Sequence, residues 1–565
     1  MPLARVICRA QIGLTAPLVH VEVSLGEGLP AFFIVGLPAT VVKESKERVR
    51  AALLSSGFQF PAGRITVNLA PADLPKEGGR FDLPIALGIL LASEQIRLPG
   101  GLPCEDPLDR GSPDDDCDQG AVGFVPFSFK DPSPSQCVEL SGCEFYGELS
   151  LNGELKPTHG LLLAAAHAVQ VGNELVVPRV NVPEASSMTR ARVRGAVDLL
   201  SVCAHVEGKA ELKVICCDAL RVVLAPSDDV AGDPTESEAP PIVADSRDYL
   251  ELRDIRGQSL AKRALFIAAA GGHSLLFFGV PGTGKSTLAR RLPELLPPLT
   301  EAEALEVASI TSVSTAGFDV RVFGRRPFRS PHHTASAVAI IGGGGRARPG
   351  EVSLAHHGVL FLDELPEFDR RVLEALREPL ETGEVAISRA ALQTHYPAAF
   401  QLVAAMNPCP CGYLGDPGGK CHCSPDVVAR YRHRISGPLL DRLDLQVELP
   451  RVPTHELLEY EDLRESHPMS IAARVRYVRG IQTRRQRVCN ARLGIAEVNH
   501  HCLPNKAGRS LIERAADRIG LSARGYHRIL KVARTIADLE GEGRVLEKHV
   551  AEAIALRRMD RRPLG

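Results

Sequence analysis

The run Gly279-Val280-Pro281-Gly282-Thr283-Gly284-Lys285-Ser286 restricts what this chain can fold into more than any other segment. It fits G-x-x-x-x-G-K-[ST] in full, follows the apolar run SLLFFG, and opens the helix-patterned STLARRLPEL. A strand that enters a glycine loop and leaves as a helix turns backbone N–H groups and the positive helix end toward one point. That arrangement grips phosphate. The spacing predicts ATP along Gly279 to Ser286 and the adjoining Thr287, with Lys285 reaching the β and γ phosphates and Ser286 holding Mg2+. A second apolar run, GVLFLDE, ends in Asp363, which would share the magnesium, and Glu364, the natural base or orienter of the attacking water. A third, QLVAAMN, ends in Asn407, whose amide suits the γ-phosphate or its water; such an asparagine is otherwise a turn residue. Short continuous apolar runs of this kind suit parallel strands covered on both faces.

With 565 residues the chain exceeds a single core, and about three or four folding units are expected. Residues 1–205 combine strand-like HVEVSL and RITVNL with the amphipathic VVKESKERVRAALLSSG, an α+β pattern. The stretch 101–142 is dense in Pro, Asp, Ser and Gly and reads as a flexible acidic insertion. Residues 206–247 contain an acidic linker, 248–450 the phosphate-binding core, and 451–565 a mostly helical region whose strongest periodic segment is LSARGYHRILKVARTIADLEG. No apolar run is long enough to cross a bilayer, and MPLARVICRAQIGL does not read as a secretory signal, so a cytoplasmic protein without membrane partners is expected.

A net charge of −2 supplies no global field for nucleic acid, so any such contact must be local. From Ile471 to Ile536 fifteen arginines and lysines face only Glu497, Glu513 and Asp517, which fits a solvated helical face and a nucleic-acid patch equally. Fourteen cysteines in a chain without a signal argue against a disulfide framework. Four of them, Cys409, Cys411, Cys421 and Cys423, crowd around Gly and Pro turns and can supply a tetrahedral thiolate set for structural Zn2+, with His422 as a substitute ligand. Such a site contributes on the order of 10 kcal/mol to local folding.

Long segments beyond the phosphate loop carry a resemblance: FFIVGLPATVVKESKERVRAAL, VNLAPADLPKEGGRFDLPIALGIL, FRSPHHTAS, PGEVSLAHHGVLFLDELPEF, MNPCPCGY, RYRHRISGPLLDRLDL and LSARGYHRILKVARTIADLEG. Over nearly its whole length the chain resembles the bacterial magnesium-chelatase-like AAA+ ATPases of the ComM/YifB type. The resemblance implies an α/β protein with three parts: an N-terminal Lon-protease-like α+β domain, an AAA+ P-loop core on a parallel sheet, and a C-terminal helical lid. Asp254-Ile-Arg-Gly257-Gln258 falls where such a module contacts adenine. The resemblance further implies a homo-hexamer with ATP sites between subunits, Arg442 as the arginine finger with Arg434 the lesser candidate, and Arg524 as the second sensor, ahead of Arg528. Where Lon proteases carry a Ser-Lys pair, this chain has Arg80, Phe81 and Asp82 in PKEGGRFD and Leu162 at the lysine position, so no proteolysis is expected. The implied function is an ATP-driven DNA motor, a helicase promoting branch migration during integration of transforming DNA. It would act on single-stranded or branched DNA without reading sequence, alongside recombination proteins, with Arg329, Arg346 and Arg348 as loop contacts to phosphate. The alternative is a chelatase-like ATPase that remodels a protein partner.

Overall fold

Apolar residues at every second position of LVHVEVSLG and RITVNLA bury Val19, Val21 and Val23 against one side of a sheet and Ile65, Val67 and Leu69 beside them. The computed structural model describes residues 3–215 apart from 77, 99–136 and 189, and residues 252–557 apart from 253–254, 345–346, 390–391, 417, 454–469 and 520. The chain divides into two units, Met1–Asp228 with Ala308–Phe323, and Asp229–Val307 with Gly324–Gly565.

The first unit contains β1 (Leu3–Arg9), β2 (Leu18–Gly26), β3 (Ala31–Val35), β4 (Arg64–Ala70), β5 (Cys137–Phe145), the small hairpin of β6 (Glu148–Leu149) and β7 (Leu155–Lys156), β8 (Glu174–Pro178), β9 (Val193–Ala196) and β10 (Val214–Ile215). Eight of them form one mixed sheet in the order β10-β9-β8-β5-β1-β2-β4-β3. Helix Asp82–Ala92, buried at every residue, lies against β1 and β2. Two boundaries read from sequence move here. Residues 137–142, assigned to the insertion, belong to β5, which pairs with β1; the rest of that insertion to residue 136 lies outside the described residues. Residues 206–215, assigned to the linker, complete a helix (Leu199–Val206) and add β10 antiparallel to β9. Ala308–Phe323 also groups with this unit rather than with the core that precedes and follows it in sequence, and Ser312 Oγ donates to Glu184 Oε1 at 2.6 Å.

Of the residues that the resemblance sets where Lon proteases carry their Ser-Lys pair, the buried Arg80 guanidinium donates to Gln11 Oε1 at 2.8 Å and to the His159 carbonyl at 2.5 Å. Asp82 is held by Arg48 at 2.7 Å, and Leu162 is buried in helix Leu161–Val171.

The second unit carries β11 (Leu275–Phe278), β12 (Phe328–Arg329), β13 (Gly342–Gly343), β14 (Arg348–Pro349), β15 (Val359–Leu362), β16 (Glu384–Arg389), β17 (Leu392–Pro397), β18 (Gln401–Met406) and β19 (Leu445–Glu448). Five form an all-parallel sheet in the order β12-β15-β18-β11-β19, while β13/β14 and β16/β17 make separate two-stranded pairs. Strands β11, β15 and β18 are the three apolar runs of the sequence, each ending on the same side of the sheet because all are parallel. Their C-terminal ends therefore gather the loop, the acidic pair and Asn407, where ligands bind in open α/β sheets.

Among the described residues, five α-helices follow from Ile471 onward. The periodic segment forms helix Ala523–Leu539, capped by Ser522 Oγ accepting from the Gly525 amide at 3.0 Å, with Ile529, Leu530, Val532, Ala533 and Ile536 buried. It packs on helices Glu547–Ala555 and Ser259–Gly271. Five of the fifteen basic residues of the stretch are spent on packing the helical region. Arg479 donates to the Ala269 carbonyl at 2.7 Å, Arg485 and Arg534 both clamp Asp538 at 2.7 Å, Lys531 donates to the Ala491 carbonyl at 3.0 Å, and Arg528 pairs with Asp444. What remains exposed includes Arg476, Arg484 and Arg487 on helix Ile471–Gln486 and its cap, beside Tyr477, which is 59% exposed.

Candidate ATP and metal sites

β11 runs into the glycine loop and out into helix Lys285–Leu295. Gly282 and Gly284 take φ of 80° and 87°, left-handed values that let successive amides turn toward one point. Lys285 is buried, and its three hydrogen-bond acceptors are uncharged: the carbonyls of Gly279 at 2.7 Å and Val280 at 2.9 Å, and Asn407 Oδ1 at 3.2 Å. Burial lowers its pKa, against the opposing pull of Asp363 and Glu364. A buried ammonium held by neutral oxygens fits an anionic ligand such as a triphosphate. Ser286 Oγ donates to Asp363 Oδ2 at 2.6 Å, the pairing expected of two oxygens that share a magnesium. Ser286 and the exposed Thr287 open onto a groove of about 520 Å³, lined also by Arg290, Arg291 and Glu294.

Glu364 stands at φ 52°, ψ 48°, a left-handed conformation that costs a glutamate roughly 1 kcal/mol. Its amide donates to Asp363 Oδ1 at 3.0 Å, and its Oε2 meets His333 Nδ1 at 3.3 Å. His333 in turn stacks near His332, with ring centroids 4.1 Å apart, and meets the edge of Phe368 at 6.4 Å. FRSPHHTAS, where the sequence marks only Arg329 for a role at phosphate, thus brings His333 to Glu364, and the paired histidines before Thr334 are the sequence signal for it.

Other assignments divide. Of the entry segment, Asp254 lies outside the described residues, while Gln258 donates to the Pro450 carbonyl at 2.7 Å and lies 3.4 Å from the Thr283 carbonyl of the phosphate loop. Arg346 lies outside the described residues. Arg329 is not on a loop: it sits on β12 and grips Glu351 with two bonds of 2.6 and 2.8 Å. Arg442 is buried, bonded to the Pro438 carbonyl at 2.6 Å and to Glu381, and burial lowers its pKa. Arg524, exposed, approaches the same Glu381 at 3.5 Å, so two arginines far apart in sequence meet on one carboxylate. Arg434, also exposed, pairs with Glu367 at 2.8 Å, and Arg528 is committed to Asp444.

The thiol loop follows Asn407 directly. Cys409, Cys411, Cys421 and Cys423 bring their sulfurs within 4.8 Å of one another, with 3.3 Å between 409 and 411, 3.6 Å between 411 and 421, and 3.8 Å between 409 and 421. A tetrahedron with metal–sulfur bonds of about 2.3 Å has edges of about 3.8 Å, so the set fits one zinc and is too small for an iron–sulfur cube. The Tyr413 amide and the Cys409 sulfur draw the Cys411 thiol down to about 6, while, against the opposing pull of backbone amides, the neighbouring thiols push Cys421 up to about 11 and Cys423 up as well, so Cys411 ionises ahead of Cys421 and Cys423. His422 is exposed and lies outside this set.

Parallel-sheet order, glycine loop and acidic strand end together define an AAA+ P-loop protein. Residues 251–457 match the family described as "Magnesium chelatase, subunit ChlI", residues 21–101 "Subunit ChlI of Mg-chelatase", and residues 465–557 the subunit's C-terminal family. The chain is 45% identical over 561 residues to Competence protein ComM of Haemophilus influenzae, covering 99% of this chain and 98% of that one. It is 42% identical to the YifB protein of Salmonella typhimurium, over 99% of this chain and 98% of that one. The 38 kDa magnesium-chelatase subunit of Rhodobacter capsulatus is 30% identical over 57% of this chain and 91% of its own. The chain belongs to the ComM/YifB-type branch of the magnesium-chelatase-like AAA+ proteins. Among the described residues no helix is long and apolar enough to cross a membrane.

Proposed function

We propose that this protein is a cytoplasmic, ATP-hydrolysing DNA motor that works as a ring of six, a helicase driving branch migration when transforming DNA is integrated by homologous recombination. The observation that carries the ATPase is the meeting of Lys285, Asn407, Ser286, Asp363 and Glu364 at the ends of three parallel strands. In this reading the loop from Gly279 to Thr287 and the Lys285 ammonium hold the triphosphate, and Ser286 and Asp363 hold Mg2+, which neutralises charge on the phosphates when bound. Glu364 aligns the attacking water and takes its proton, His333 fixes the Glu364 carboxylate, and Asn407 orients the terminal phosphate or the water. Arg442 and Arg524 share one carboxylate, which supports a common role: in a ring, Glu381 gives way to the terminal phosphate of a nucleotide at the subunit boundary. The thiol loop holds one structural Zn2+. The N-terminal unit, similar to a Lon-type domain with Arg80 and Leu162 at the dyad positions, organises the ring or binds a partner such as a recombination protein.

The relative named as a competence protein supports the DNA reading, as does the exposed stripe of Arg476, Tyr477, Arg484 and Arg487. Arginines that track backbone phosphates beside an exposed ring on which a base can stack bind single strands without reading sequence. The likeness to a magnesium-chelatase subunit favours a second reading, an ATPase that remodels a protein partner. ATP turnover measured with and without single-stranded and branched DNA separates them. Stimulation by DNA that is lost in Glu364→Gln supports the motor; turnover indifferent to DNA removes it.

A further inference from the structure

The ATP site and the thiol loop are adjacent along the backbone. Asn407, whose Oδ1 meets the Lys285 ammonium, is two residues from Cys409, the buried first sulfur of the set. They also meet through space. Gly412, at φ 84°, packs so closely on Pro281 of the phosphate loop that a Cβ there would lie 2.8 Å from the ring Cγ and 3.0 Å from Cδ. The Gly412 amide donates to the Cys409 carbonyl at 3.0 Å, so the turn pressing on Pro281 is the turn that carries the first two cysteines. Behind the loop, Arg451 reaches Asp416 at 3.6 Å, tying the loop to the chain just beyond β19.

We propose that the four-cysteine metal site is a positioning element of the ATP site. Zinc bound by Cys409, Cys411, Cys421 and Cys423 fixes the turn at Gly412, and that turn sets both the phosphate loop, through Pro281, and the Asn407 amide. Metal occupancy thus governs nucleotide binding and turnover, beyond any contribution to stability. The inference rests on the ATPase and zinc readings above. Coupling between two sites is reciprocal, so nucleotide must also hold the metal more tightly.

The test uses the full-length protein carrying Glu364→Gln, so that ATP is bound and not consumed. Zinc affinity is measured by equilibrium competition with a chromogenic chelator, with and without Mg-ATP. A Lys285→Ala version corrects for zinc captured by free nucleotide. Coupling predicts zinc held about fivefold or more tightly in the presence of ATP, with no such gain in the Lys285→Ala version. Separately, Gly412→Ala in an otherwise unaltered chain keeps all four thiols and should retain about one zinc. Its affinity for a fluorescent ATP analogue should fall about fivefold and its turnover about tenfold. Pro281→Ala added to it removes the ring that the new methyl meets and should recover part of the loss. A protein that binds zinc and nucleotide while neither affects the other, with Gly412→Ala binding ATP normally, overturns the coupling alone. A protein without zinc overturns the metal reading along with it, and one that binds zinc but no nucleotide overturns the ATPase reading.

Discussion

Glu364 owes its position to a backbone conformation that a glutamate adopts at a cost, and its carboxylate is steadied by one histidine. Removing the carboxylate while keeping its shape, Glu364→Gln, should lower ATP turnover by roughly 10² to 10⁴ with nucleotide affinity retained, as read by steady-state assay beside equilibrium binding. If Glu364 is the base, His333→Ala should leave binding intact and reduce turnover by a smaller factor, about tenfold, since His333 contacts the Glu364 carboxylate and would act through it. Lys285→Ala should abolish detectable nucleotide binding; retained affinity would mean that the glycine loop grips something else. Lys285 and Glu364 stand out in the sequence because each sits at a fixed offset from a glycine or an apolar run, and the structure brings both to the strand ends. His333 does not stand out, since its contact with Glu364 joins segments whose proximity depends on β12 lying beside β15.

Elements buried on both faces announced themselves as continuous apolar runs, and β11, β15 and β18 follow those runs closely. Short edge pieces did not: β10 has two residues, and its place in the sheet comes from antiparallel pairing with β9 and not from its own composition. The basic stretch was ambiguous for a related reason, because a side chain's charge does not reveal whether its partner is water or a buried carboxylate. Asp444 illustrates the buried case. Burial pushes its pKa up, but Arg528 and the His273 hydrogen bond outweigh burial and hold it well below the ordinary carboxylate range. The stabilisation it lends to the docking of helix Ala523–Leu539 is therefore fully present above about pH 4, the unfolded value, and is lost as pH falls toward the folded one. Thermal unfolding followed from pH 6 to pH 3 should show this acid-sensitive component, and Asp444→Asn should remove it. On the exposed side of helix Ile471–Gln486, Arg476→Ala and Arg484→Ala should each weaken single-strand binding uniformly across sequences and lower the slope of log affinity against log salt by about one.

For the whole molecule, the proposed ring makes a prediction that no single chain can satisfy. If each ATP site takes Glu364 from one subunit and Arg442 from its neighbour, then Glu364→Gln and Arg442→Ala proteins are each inactive alone. Mixed in equal amounts they should regain roughly a quarter of full turnover, from the sites that random assembly completes. Recovery with Arg434→Ala in place of Arg442→Ala would transfer the role to Arg434, which is exposed where Arg442 is buried. Sixteen residues, Ala308–Phe323, leave the ATPase core to join the first unit, where Ser312 hydrogen-bonds to Glu184, and then return. A single cut after Asp228 would therefore strand part of the first unit on the wrong fragment. The two units cannot be exchanged between relatives as interchangeable cassettes, and a graft that respects their folds has to splice three junctions.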